Sequence, residues 1–166
     1  TFPSTAQAFP STLLSGVAPG QTWVVCQGYR GSISHTGNRL YSLDLTADLA
    51  GVGRNGCTGS ASTTGGRQVV APGTGAVAWN NGRGFCVNFD AGDSMMLYHV
   101  TGPKTGARVA SGQVVGRVYP AGQAENGGYA HLHIAAYRGG GCAAGKQTPF
   151  AGGARLACGA PDMRPG

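Results

Sequence analysis

Residues 127–137 read GGYAHLHIAAY, two glycines followed by an apolar run that carries two histidines. Successive side chains of a strand point to opposite faces, so His131 and His133 project from the same one. Nothing about burial alone asks for two imidazoles side by side on one face. A site for a metal ion, or for proton transfer, does. The chain has only four histidines, and the other two, His35 and His99, also lie in strand-like or strand-edge segments.

Segments of similar character recur at 22–29 (TWVVCQGY), 40–45 (LYSLDL), 68–71, 76–79, 85–89 (FCVNF), 95–100 (MMLYHV) and 113–118 (QVVGRV). Turns rich in Gly, Ser, Thr and Asn separate them, and no convincing amphipathic helix intervenes. This spacing predicts a mainly β fold: a single domain with a central antiparallel β-sheet, long active-site loops and little helix. Glycine makes up 31 of 166 residues, far above the usual share of about 7%, yet shows no three-residue period. Collagen is thereby excluded, and tight turns between short strands explain the excess. The length suits one domain over residues 1–166 with a core of its own. Residues 1–20, with Pro3, Pro10 and Pro19 among small polar residues, read as an extended arm laid over that domain. The longest irregular stretches, 46–66 and 120–129, have the length at which loops become walls of binding or active sites.

A formal charge of +6 favours anionic partners, including wall polymers. The basic residues are dispersed and aromatic-interleaved basic runs are missing, so nucleic acid is not an expected partner. No run reaches the ~18 apolar residues of a membrane span, so none is expected in a membrane either. Five cysteines in a chain that begins at Thr1 rather than Met predict a secreted, mature protein, freed of a signal peptide or propeptide. Cys142 and Cys158 flank a Gly- and Ala-rich stretch, so 139–166 is expected to be a disulfide-linked C-terminal segment. Cys57–Cys86 is the second choice, leaving Cys26 free, while Cys26–Cys57 and Cys26–Cys86 stay open. No Cys-x-x-Cys spacing supports a cysteine zinc site.

Hydrolytic zinc takes three protein ligands from His and carboxylate and keeps one position for water. The residues that could supply them are His35, Asp44 and one histidine of the His131/His133 pair. His35 lies nine residues before Asp44, close enough for a short turn to bring a strand end and the next strand together. Asp44 sits in the apolar alternation Leu43-Asp44-Leu45, where a buried carboxylate is costly unless it meets a cation. Taken singly, each has an ordinary reading: a solvent-facing aspartate, a polar loop histidine, and in His99 a core histidine satisfied by a carbonyl. Their joint occurrence shifts the balance. A site that activates water also needs a proton acceptor near neutral pH, for which imidazole is the usual choice. Asp48, Asp90, Asp93 and Glu125 are assigned to solvent.

Several motifs in order make the chain resemble the zinc metalloendopeptidases of the lysostaphin, staphylolysin and β-lytic family, whose LytM-like domain cleaves cell-wall peptides. They are His35 with Ser42-Leu43-Asp44, Tyr98-His99, and Gly128-Tyr129-Ala130-His131-Leu132-His133. The stretches 70–77 (VAPGTGAV) and 112–118 (GQVVGRV) are similar to family segments as well, so the likeness covers roughly residues 22–137. The resemblance implies one zinc ion held by His35, Asp44 and His133, with His99 and His131 as the acid–base and transition-state-stabilising pair. It also departs from the family. Ala130 stands where proline is common, and no tyrosine follows Tyr137 to assist the oxyanion.

The resemblance therefore implies a secreted, monomeric zinc endopeptidase. Its substrate would be the peptides of peptidoglycan cross-bridges or stems, cut next to glycine, with glycine-rich proteins such as elastin as further substrates. The rival readings are a catalytically silent wall-binding relative, a zinc carboxypeptidase on wall peptides, and a metal-free β-sandwich binding module.

Overall fold

The computed structural model describes residues 16–18, 21, 23–47 and 63–150, together with the backbone of 52–53 and 56–57. Among the described residues, twelve strands run in chain order: β1 (Val24–Gln27), β2 (Leu43–Thr46), β3 (Val52–Gly53), β4 (Gly56–Cys57), β5 (Gln68–Val70), β6 (Gly75–Asn80), β7 (Gly84–Phe89), β8 (Ser94–Tyr98), β9 (Arg108–Val109), β10 (Val114–Arg117), β11 (Leu132–Tyr137) and β12 (Gln147–Thr148). One 3-10 turn, Gly37–Arg39, is the only helical element among the described residues. An eight-stranded antiparallel sheet follows the order β1-β2-β11-β8-β7-β6-β9, with β12 also paired to β11. The pairs β5–β10 and β3–β4 stand apart from it. The mainly β, antiparallel fold is the one expected.

Alternation divides the large sheet into two unlike faces. In register, Leu45 faces Leu132, Leu43 faces Ile134, Leu97 faces Ile134 from the other side, and Phe85 faces Leu97. These side chains are fully buried in one apolar core with Trp23 and Val69. Burying each such side chain stabilises the fold by about 1.5–3 kcal/mol. The interleaved residues Asp44, His133, Met96 and Tyr98 point the other way, into a groove. Gly84 lets β7 and β8 approach there, because a Cβ at this position would stand 2.4 Å from the Leu97 carbonyl oxygen.

Several expectations need correction. The stretch 46–66, read as irregular, contains the β3–β4 hairpin, and β9 and β12 are two-residue pairings too short for a pattern to announce. Cys142 pairs with Cys86, not with Cys158, at 2.01 Å between sulfurs. That pairing also removes Cys57–Cys86 and Cys26–Cys86, and Cys26 is itself disulfide-bonded rather than free. The Cys57 side chain and Cys158 lie outside the described residues. The Cys86–Cys142 bond fastens the loop after β11 to β7. Polar contacts reinforce it: Cys142 N–H donates to Ser94 Oγ at 3.0 Å, Gly141 N–H to Asn88 Oδ1 at 2.6 Å, and Trp79 Nε1–H to Gly141 O at 3.0 Å.

Of the acidic residues assigned to solvent, Asp90 and Glu125 are exposed as expected and Asp93 is half-buried, and each of the three also holds an ion pair. Asp90 accepts two bonds from Arg108, Glu125 pairs with Arg83, and Asp93 accepts from Arg138 and from the Gly139 N–H. Asp48 lies outside the described residues. Of the arm expected at 1–20, Gly16–Ala18 are described, and there Val17 is buried and bridges Val69.

Candidate metal centre and active site

His133 and Asp44 are register partners on adjacent antiparallel strands, so their side chains rise together from the groove face. His133 Nδ1 lies 2.7 Å from Asp44 Oδ1. His35 arrives from the turn after β1, where its backbone N–H donates to Gly31 O at 2.9 Å. Its Nδ1–H donates to the Gly28 carbonyl at 2.8 Å. That bond fixes the tautomer and leaves the Nε2 lone pair pointing at Asp44 Oδ1, 3.2 Å away.

Nε2 of His35 is fully buried and has no hydrogen-bond partner. An imidazole lone pair facing a carboxylate oxygen at that distance sets two acceptors against each other. A proton or a cation between them resolves the conflict. One ligand atom from each of His35, Asp44 and His133 falls within 4.8 Å of the others. Tetrahedral zinc with ligands at about 2.0–2.2 Å would hold such atoms roughly 3.4 Å apart, so the 3.2 Å pair needs almost no change and the 2.7 Å pair only a small opening. The donor set, two imidazoles and one carboxylate, is zinc-like in chemistry. The residues present fit the ion.

Burial alone would raise the Asp44 carboxyl, but His133, His35 and His131 outweigh it and hold the group well below the usual carboxylate range. Asp44 is therefore an anion at neutral pH, as a ligand must be. His131 Nε2 stands 3.7 Å from Asp44 Oδ1, while its Nδ1–H donates to Tyr129 O at 2.9 Å. His99 lies against His131, with ring centroids 4.4 Å apart, and its Nδ1–H donates to Ala124 O at 3.3 Å. Both rings thus offer Nε2 as the free nitrogen. Burial first, then the neighbouring His131 and His133, push the His99 pKa down to about 3. Burial likewise lowers that of His131. Both imidazoles are neutral at physiological pH.

His99 occupies the left-handed region, with φ 61°, at the end of β8. A non-glycine residue there is strained, and such strain clusters at functional sites. Two backbone bonds maintain it: His99 N–H donates to Arg83 O at 2.7 Å, and Tyr119 N–H donates to His99 O at 2.9 Å. The groove around these residues measures about 650 Å³ and is walled by Trp79, Met96, Tyr98, Tyr129 and Tyr137.

All five residues singled out in the sequence meet at this one place. Two further residues do so without any motif to mark them. Gln27 Nε2–H donates to Asp44 Oδ2 at 2.7 Å. Asn126, buried, ties the 120–129 loop together through Pro120 O, Gly122 N and Gly128 N. Asn126 stands in a Glu-Asn-Gly-Gly turn sequence, which signals a turn but not what the turn holds.

No protein-family model matches the chain, and no curated protein matches it. Solved structures do. The deep-sea M23 metalloprotease pseudoalterin is 21% identical, with a TM-score of 0.60 over 83% of this chain and 74% of its own. The catalytic domain of the prophage-encoded M23 protein EnpA from Enterococcus faecalis, in a mutant form, is 20% identical. It gives a TM-score of 0.53 over 80% of this chain and 93% of its own. Helicobacter pylori Csd3 is 18% identical, with a TM-score of 0.50 over 96% of this chain and 36% of its own. The chain thus shares its fold with M23 metalloproteases, as the resemblance implied.

Proposed function

We propose that this protein is an exported zinc metalloendopeptidase acting on peptidoglycan peptides, with glycine beside the bond it cuts. One observation carries the reading. His35 Nε2, Asp44 Oδ1 and His133 Nδ1 converge beside two neutral imidazoles at the floor of a groove. The shared fold with pseudoalterin and EnpA supports it. Disulfides at Cys26 and Cys86–Cys142 support export, because such bonds persist in oxidising compartments. The positive charge suits an anionic wall.

His35, Asp44 and His133 would hold the ion. When bound, zinc lowers the pKa of its water to about 7 and polarises a carbonyl. The chain's own residues do the rest. With Nδ1 committed to Ala124 O, His99 presents Nε2 to take a proton from the attacking water. The same nitrogen then returns that proton to the leaving amine. His131, with Nδ1 bound to Tyr129 O, aims Nε2 at the same space and can donate from it to a developing oxyanion once protonated. An extended peptide with small side chains would lie between the aromatic walls of the groove.

The test is release of new amino groups from purified peptidoglycan, measured before chelation, after it, and after one equivalent of zinc is restored. Release that vanishes and returns is the expected result. No release from metal-loaded protein on several wall types overturns the assignment and favours a wall-binding module.

A further inference from the structure

Gln27 stands in the third pairing position of β1, and its placement depends on a distortion of that strand. Val25 faces Leu45, but the next pairing is Gln27 with Asp44, so the register slips between them. Without the slip, Cys26 would face Asp44. The irregularity re-aims Gln27 onto the groove face, as bulges beside active sites commonly do. The residue is buried, although glutamine usually prefers solvent.

All of its amide capacity toward the site is used. The two Nε2 hydrogens go to Asp44 Oδ2 and to Ser34 Oγ, each at 2.7 Å, and Oε1 accepts from the Ser34 N–H at 3.3 Å. The last bond fixes the amide's orientation, because a flip would set Nε2 against an N–H and Oε1 against a carboxylate. Gly31 closes the pocket behind it: a Cβ at that position would lie 2.5 Å from Gln27 Cγ. Oδ2 of Asp44 is therefore occupied. Oδ1 alone faces His133 Nδ1, His35 Nε2 and His131 Nε2, at 2.7, 3.2 and 3.7 Å.

We propose that Gln27 is a positioning residue that makes Asp44 a one-oxygen ligand, and so sets both the affinity and the coordination number of the metal site. The idea rests on the metal-site reading above. If Oδ2 were released, the carboxylate could turn and offer both oxygens, crowding the position that water and substrate need. Groups that hold a ligand from behind in this way are typically worth about 10–100-fold in metal affinity.

The experiment compares wild type with Gln27→Met, Gln27→Ala and Gly31→Ala. Zinc affinity is measured by chelator competition, and the cobalt(II)-substituted proteins are compared by visible absorption. Methionine keeps the length and volume of glutamine and removes both donors. The expected result is that Gln27→Met binds zinc about 10–100-fold more weakly and as poorly as Gln27→Ala, with weaker cobalt bands that report a higher coordination number. Gly31→Ala keeps the amide but displaces it, so it should give a smaller loss of the same kind. Wild-type affinity and spectrum in Gln27→Met, with loss only in Gln27→Ala, would show that the side chain merely fills space and overturns the proposal. If Gln27→Met does not fold, Gly31→Ala decides the matter in the same way. A wild-type protein that binds neither zinc nor cobalt overturns the metal-site reading itself.

Discussion

Asp44 and His133 face each other across the β2–β11 ladder, whereas His99 and His131 hang their Nδ1–H groups on two carbonyls of one loop. In the first half of the site, backbone pairing and an apolar face beneath hold the side chains. Leu43, Leu45, Leu132 and Ile134 anchor the strands, so the two ligands cannot separate without opening the core. In the second half, the supports are Ala124 O and Tyr129 O, both near residues 120–129, where Ala124 and Glu125 are themselves left-handed. Ligand atoms must be fixed to a few tenths of an ångström; the ladder supplies that for Asp44 and His133, and the bond to Gly28 O for His35. Groups that pass protons must meet a substrate, and a loop can be shaped around one.

If the two halves are separate, each can be lost without the other. His133→Ala should remove zinc and activity at once, because it takes away a ligand and leaves Asp44 Oδ1 without its nearest partner. His99→Ala should keep zinc within a few-fold yet lower turnover by about 10²–10⁴, the usual contribution of a general acid–base group. Metal content by mass spectrometry and turnover on wall peptides separate the two. Loss of zinc in His99→Ala would mean that the halves are not divided as drawn.

Asn126 belongs to the loop-held half alone. Its side chain donates to Pro120 O at 2.8 Å and accepts from Gly122 N and Gly128 N, each at 3.2 Å. Asn126→Ala should leave zinc affinity unchanged and lower turnover by about 10-fold, a fraction of what a lost acid–base group costs. Nitrogen NMR of the imidazoles is the diagnostic readout. His99 and His131 should lose a fixed Nδ1–H tautomer while His35, held by Gly28 O, keeps its own. Unchanged tautomers with reduced turnover would sink the idea that this loop sets them.

The two halves were also unequally legible in the sequence. Leu43-Asp44-Leu45 and Leu132-His133-Ile134 each alternate with period two, so the facing of Asp44 and His133 could be read before their pairing was known. His35 and His99 entered as the chain's two remaining histidines, and only the order of motifs gave them roles, since a loop histidine carries no periodicity. Gln27 could not be read at all. Its face is decided by the slip between Val25 and Gln27, which exists only once β1 has paired with β2. The disulfide failed for a related reason. Cys86 and Cys142 are 56 residues apart, and what brings them together is the order β11-β8-β7, a long-range property of the sheet. The Gly- and Ala-rich flanks of Cys142 and Cys158 suggested a local staple, and tertiary order overrode it.

The smallest effect is expected at the rim of the loop-held half. Arg83 and Glu125 form an ion pair there, with side chains 47% and 65% exposed, and Arg83 is also the residue whose carbonyl accepts from His99 N–H. It is tempting to credit this pair with closing the loop over His99. Exposed ion pairs, however, contribute roughly 0–1 kcal/mol and weaken as salt rises. The carbonyl of Arg83, moreover, holds His99 whatever the side chain does. Glu125→Gln should therefore lower turnover less than about threefold at low salt, with the difference from wild type vanishing in concentrated salt. A loss as large as that of Asn126→Ala, persisting in salt, would mean that the rim charge and not the buried amide holds the loop. The division between a ladder-built metal half and a backbone-built proton half would then need to be redrawn at Glu125.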